Sequence, residues 1–281
     1  MFENYKATGK DFQVIEEGIK TVWRPELNFI FKRKAFLKNI LIVSYDSSFI
    51  YLWTDFSIPQ PTSRPCSLSD YYAYKIPHTI TLKDEWQLGW RAGNLPKPLE
   101  KILSKKLQTS WFEISKINGG LLTPFIKLQE KNNIKDNPYV TRESLLATII
   151  HEFGHIYWER HKLWWYSDKK TNISFLKAAK KLYEDKKIKK NIYFPMDFGV
   201  GELFAFCTEY AASEILWKNH KLNMDKFIKE RLKILIKEEQ KKNLDREDSV
   251  LAPSRYLHDF AFVFGKIILS NCPKTWPKTL T

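Results

Sequence analysis

The sequence predicts an α+β protein, and three observations carry that prediction. Residues 36–54, AFLKNILIVSYDSSFIYLW, are dense in β-branched and aromatic side chains on either side of Asp46-Ser47-Ser48, the pattern of two strands joined by a turn. Residues 141–163 place Leu145, Leu146, Ile149, Ile150, Phe153, Ile156 and Tyr157 at helical spacing, which marks one buried stripe of a long helix. Beyond that helix the apolar pattern stays helical, so strands gather in the first half and helices in the second.

The elements follow in order. Residues 1–35 show no dominant period and read as an N-terminal extension. Residues 57–68, SIPQPTSRPCSL, hold three prolines and predict a loop. A mixed stretch leads to an amphipathic helix near 98–109. Residues 111–130 predict a hairpin about Asn118-Gly119-Gly120, because Asn-Gly suits the turn, with an edge strand within 121–128. The long helix starts after Pro138, capped by Asn137 or Thr141. A basic helix over 174–188, a loop over 191–200, a helix opening at Gly201, and helices over 224–241 and 254–270 complete the chain. The expected organisation is a single domain over 1–281, with a sheet-containing half at 36–130 and a helical half at 138–281.

Composition narrows the function classes. Hydrophobic residues make up 43% and include 10 Trp, 13 Tyr and 19 Phe, enough for a packed core, which excludes a disordered chain. No apolar run reaches the roughly 18 residues of a membrane span. The N-terminal residues lack a basic segment followed by an apolar one, so no standard signal peptide is read. Cys66, Cys207 and Cys272 are odd in number and far apart, which argues against a disulfide framework and for a reducing compartment. The expected location is the cytoplasm, or delivery elsewhere without a standard signal peptide. The formal charge of +14 suits nucleic acid, an anionic surface or an acidic partner. Its lysines, however, are scattered in pairs such as Lys169-Lys170 and Lys241-Lys242 and no nucleic-acid-binding motif accompanies them, so nucleic acid is the less favoured partner.

Chemistry concentrates in His151-Glu152-Phe153-Gly154-His155. Side chains four apart on a helix lie one above the other, so both imidazoles can meet one zinc ion. Glu152 lies about 100° around the axis from His151. There it can act as a general base on a water that zinc has acidified.

A catalytic zinc needs a third protein ligand. His161, ten residues after His151, matches the metzincin spacing HExxHxxGxxH, but Trp158 stands where that pattern needs glycine. If the helix continues, His161 is turned about 240° from His155 and cannot meet the same ion. The other candidate is Glu202, in Gly201-Glu202-Leu203-Phe204-Ala205-Phe206-Cys207-Thr208-Glu209. A carboxylate on a largely apolar helix face needs a cationic partner. Glu209, seven residues on and on the same face, could hold a ligand histidine in its ligating tautomer.

HEFGH followed 47 residues later by E-L-F-A-x-x-x-E resembles the gluzincins of the anthrax lethal factor and Mlc-titration-factor group. The resemblance covers residues 145–214, about a quarter of the chain. It implies a zincin-like metallopeptidase fold, with a small twisted sheet packed on the HExxH helix and a helical second half. It implies Zn²⁺ held by His151, His155 and Glu202, with Glu152 as the base. The titration-factor branch has a second glutamate where Glu209 stands; the lethal-factor branch has one four residues after the third ligand, where this chain has Phe206. The group also carries an oxyanion-stabilising tyrosine shortly before the third ligand, and Tyr193 is the nearest candidate. The implied activity is zinc-dependent hydrolysis of a protein or peptide, which could lie extended along the edge strand. The alternatives are a zinc-binding regulatory or protein-binding module without peptidase activity, and a basic nucleic-acid-associated protease.

Overall fold

In the computed structural model, the described residues are 6–58, 66–81, 95–108, 120–122, 141–167, 196–240, 261–262, 265–266, 268–270, 273 and 275–277. The protein has mixed α and β structure with mostly helical content, as its sequence predicts. It divides into two compact units: Met1–Arg24 with Arg33–Ile149, and Pro25–Lys32 with Ile150–Thr281.

In the first unit, β1 (Leu41–Tyr45) and β2 (Phe49–Thr54) form the expected antiparallel hairpin, with Val43 opposite Leu52. Asp46 makes the turn. Its carboxylate accepts the backbone N–H of Ser48 and of Phe49, both at 2.8 Å, and the Tyr51 hydroxyl at 2.9 Å. A side-chain acceptor aimed at its own following backbone is what makes aspartate a turn former. β3 (Tyr72–Pro77) pairs antiparallel with β2, and β4 (Gly120–Leu122) pairs parallel with β1, so the order is β3-β2-β1-β4. Gly120, expected in a hairpin turn, is therefore a strand residue at one edge of this sheet; the rest of the predicted hairpin lies outside the described residues.

Every residue of β1 is buried. Strands covered on both faces read as continuous apolar runs, and that is the pattern here. One face of the sheet, with Leu41, Val43, Tyr45, Leu52 and Ile76, packs with Leu99 and Leu103 of α2 (Lys97–Leu107), the helix expected near 98–109. On the other face, Tyr51 and Trp53 meet Phe12 of α1 (Gly9–Val22) at ring separations of 5.0 and 6.2 Å. The sequence reading missed both α1 and β3. Helix α1 nevertheless carries a start signal at Thr8-x-x-Asp11: the Asp11 carboxylate accepts the Thr8 backbone N–H at 2.7 Å and its hydroxyl at 2.8 Å. Ile15, Ile19 and Val22 supply its buried stripe.

The long helix α3 (Arg142–Ser167) starts at Thr141, one of the two caps expected, whose Oγ1 accepts the Ser144 N–H at 3.2 Å while Ser144 Oγ accepts the Thr141 N–H at 3.0 Å. Its residues from Ile150 onward belong to the second unit, with α4 (Met196–Leu216) and α5 (Lys218–Gln240). From Gly201 to Ser213 nearly every residue of α4 is buried. A helix apolar all round belongs at the centre of its unit. Phe204 stacks on Tyr157 of α3 at 5.9 Å and tilts against Trp276 at 5.3 Å, while Phe206 meets Phe262 edge-on at 4.8 Å. Among the described residues no helix is long and apolar enough to cross a membrane.

Candidate metal centre

Small residues let α3 and α4 approach closely. A Cβ placed on Gly154 would lie 2.9 Å from the Cα of Ala205 and 3.2 Å from Thr208, and one placed on Gly201 would lie 3.3 Å from the Trp158 ring and 3.7 Å from His155 Nδ1. This contact sets the two histidines of α3 against the two glutamates of α4. Helix α4 opens at Met196 rather than at Gly201, so Glu202 stands in its second turn. There the helix dipole gives a carboxylate less support than in the first turn.

His151 Nε2 and His155 Nε2 are 3.1 Å apart. Glu202 turns one oxygen to each, at 3.6 Å from His151 Nε2 and 3.4 Å from His155 Nε2, and is itself buried. Three ligands held tetrahedrally at roughly 2.0–2.1 Å would stand about 3.3–3.4 Å from one another. The two imidazole nitrogens stand near that spacing, and one ligand atom from each of His151, His155 and Glu202 lies within 4.8 Å of the others, so the group could hold a metal ion. Behind it, Glu209 Oε2 lies 3.1 Å from His151 Nδ1. A carboxylate only accepts hydrogen bonds, so His151 turns Nδ1–H to Glu209 and points Nε2 toward Glu202 and His155. A further ring meets the same carboxylate: His220 Nε2, on α5, lies 3.4 Å from Glu209 Oε1.

The electrostatics agree with the geometry. Burial alone would push the His151 pKa down, but the Glu202 and Glu209 carboxylates outweigh it and carry it up to about 10. Burial opposes the charge on Glu209 too, yet His151 and His220 hold its carboxyl well below the usual range. Two carboxylates closed around neutral imidazoles demand a cation, either a proton on His151 or an ion among the three ligand atoms.

No family model, curated protein or solved structure matches this chain.

The remaining expected residues fall as follows. Glu152 is half-buried on α3, next in sequence to His151. Helix α3 continues through residue 161 to Ser167, so the backbone does not make the turn after His155 that the metzincin spacing requires. Tyr193 and the predicted basic helix at 174–188 lie outside the described residues. His220 was not singled out by sequence reasoning. Its signals were faint: it is one of only six histidines in the chain, and it follows Glu209 by 11 positions across a helix break at Trp217.

Proposed function

We propose that this chain is a zinc-dependent metallopeptidase of gluzincin type, in which His151, His155 and Glu202 hold the ion and Glu152 is the catalytic base. The observation that supports this most is the cluster of one ligand atom each from His151, His155 and Glu202 within 4.8 Å of one another, backed by a carboxylate 3.1 Å from His151 Nδ1. Bound there, zinc would supply Lewis acidity to polarise a peptide carbonyl and bring water into an acidity range near neutral. Glu152 takes the proton of the attacking water and returns it to the departing amine nitrogen. Glu202 contributes negative charge to the centre, and Glu209 keeps His151 in the tautomer that ligates. The substrate class is protein or peptide, and Tyr193 is the proposed oxyanion donor.

The test combines metal content with turnover. Wild type should hold one zinc by elemental analysis, Glu202→Ala should lose it, and His161→Ala should keep it. Glu152→Gln should keep the zinc and lose hydrolysis of a casein or mixed-peptide substrate by about 10²–10⁴-fold. A wild type that binds no zinc after reconstitution sinks the proposal, and an active Glu152→Gln removes Glu152 from its role.

A further inference from the structure

We propose that His220 is a positioning residue of this centre: its ring holds the outer oxygen of Glu209, so that the inner oxygen stays on His151. The inference rests on the metal-site reading above and extends it to a third helix.

Glu209 is divided between two rings, with Oε2 3.1 Å from His151 Nδ1 and Oε1 3.4 Å from His220 Nε2. As the carboxylate only accepts, His220 must donate Nε2–H, which leaves its Nδ1 turned away from Glu209. That Nδ1 is buried and has no hydrogen-bond partner among the described residues. A histidine kept in a core for packing has no need of this arrangement. The tie to Glu209 gives this one a reason to be there, since an apolar residue of similar size would fill the space without an unmet polar atom.

The local fold brings the ring to that point. Helix α4 ends at Leu216 and α5 begins at Lys218, leaving Trp217 as the junction. Its N–H is held by Ser213 O at 2.8 Å, and Ser213 Oγ donates to Glu209 O at 2.7 Å. One residue beyond Glu209, the Tyr210 hydroxyl donates to Asp225 of α5 at 2.8 Å, and Asp225 is also paired with Lys221 at 3.0 Å and with Lys266 at 2.8 Å. Two polar ties from adjacent residues of α4 thus fix the start of α5, and one of them is His220.

The consequence is mechanical. With Oε1 held, the carboxylate cannot rotate away from His151. Without His220, Oε1 has no donor among the described residues, the carboxylate turns more freely, and the preference for Nδ1–H on His151 weakens. Groups that orient a metal ligand in this way typically contribute about 10–100-fold in metal affinity.

The experiment measures zinc dissociation constants by competition with a chromophoric chelator, on full-length wild type, His220→Ala, His220→Gln, Glu209→Gln and the His220→Ala/Glu209→Gln double variant. The visible spectrum of the cobalt-loaded proteins reports ligand geometry. His220→Ala should weaken zinc about 10–100-fold and alter the cobalt bands. His220→Gln, whose amide N–H can still donate, should recover most of the affinity. Adding His220→Ala to Glu209→Gln should cost little more, because the two act in series. Zinc affinity and cobalt bands unchanged in His220→Ala, or additive losses in the double variant, overturn the role of His220 and leave the metal centre standing. Should His220→Ala fail to fold, a loss of about 10–100-fold in zinc affinity in a folded His220→Gln overturns it as well. A wild type that binds neither ion overturns the metal reading and this inference with it.

Discussion

At the residue scale the proposed centre sets a proton and a metal ion in competition for one place. In the metal-free protein His151 is held protonated by Glu202 and Glu209 up to about 10, against an ordinary value of 6.5. A pKa raised on folding contributes stability that is fully present below about 6.5 and is lost as pH rises through about 10. Metal binding needs the neutral imidazole, so an ion must expel that proton. Zinc uptake at pH 8 should therefore release about one proton from His151, which isothermal titration calorimetry in buffers of different ionisation enthalpy would read. Uptake with no proton release would mean that His151 is already neutral or is not a ligand. The same two carboxylates explain why the histidine spacing alone was not enough to describe the site. The i, i+4 relation of His151 and His155 is local and visible in sequence. The tautomer that would make His151 a ligand is favoured by Glu209, 58 residues away.

At the element scale, the close crossing of α3 and α4 is what joins the two motifs. Gly154, the fourth residue of HEFGH, faces backbone: a Cβ there would lie 2.9 Å from Ala205 Cα, closer than real Cβ atoms come. A side chain at 154 must part the helices rather than bend a neighbouring side chain. Gly154→Val should cost about 1–3 kcal/mol in stability, as overpacking does, and should also weaken zinc binding by separating His155 from Glu202. Thermal unfolding with and without zinc measures both effects; a folded variant with wild-type zinc affinity would show that the crossing does not set the ligand spacing. Some elements were legible for local reasons and others were not. The β1–β2 hairpin was read because Asp46 and its neighbours make a local turn. The start of α4 was misplaced because Gly201 reads as a helix opener, whereas here it serves the contact with Trp158. Nothing local in Gly120–Leu122 announces parallel pairing with β1, which lies some 80 positions earlier.

At the scale of the whole molecule the chain has two compact units, and the candidate centre lies wholly within the second. An ion that binds only the folded form of that unit lowers its open population by a factor of 1 + [L]/Kd, about 100-fold at 100 times Kd. Two thiols report on the units separately. Cys207 is buried on α4 between Glu202 and Glu209, its Sγ 3.8 Å from Gly265 O, and burial pushes its pKa well up. Cys66 is half-buried in the first unit. Saturating zinc should slow alkylation of Cys207 by iodoacetamide by up to about 100-fold and leave Cys66 unchanged, as read by peptide mass mapping. Equal slowing of both, or of neither, would contradict a metal held by the second unit alone. The sequence by itself determined whatever depends on residues within a few turns of one another: the α+β class, the hairpin at Asp46, the long helix, and the shared faces of His151 with His155 and of Glu202 with Glu209. Only the tertiary structure decided which of those faces meet. It set Glu202 rather than a turned-back His161 beside the two histidines, placed His220 behind Glu209, and paired β4 with β1, because contacts across tens of residues are chosen by close packing and by the need of buried charges for partners, and neither leaves a periodic trace along the chain.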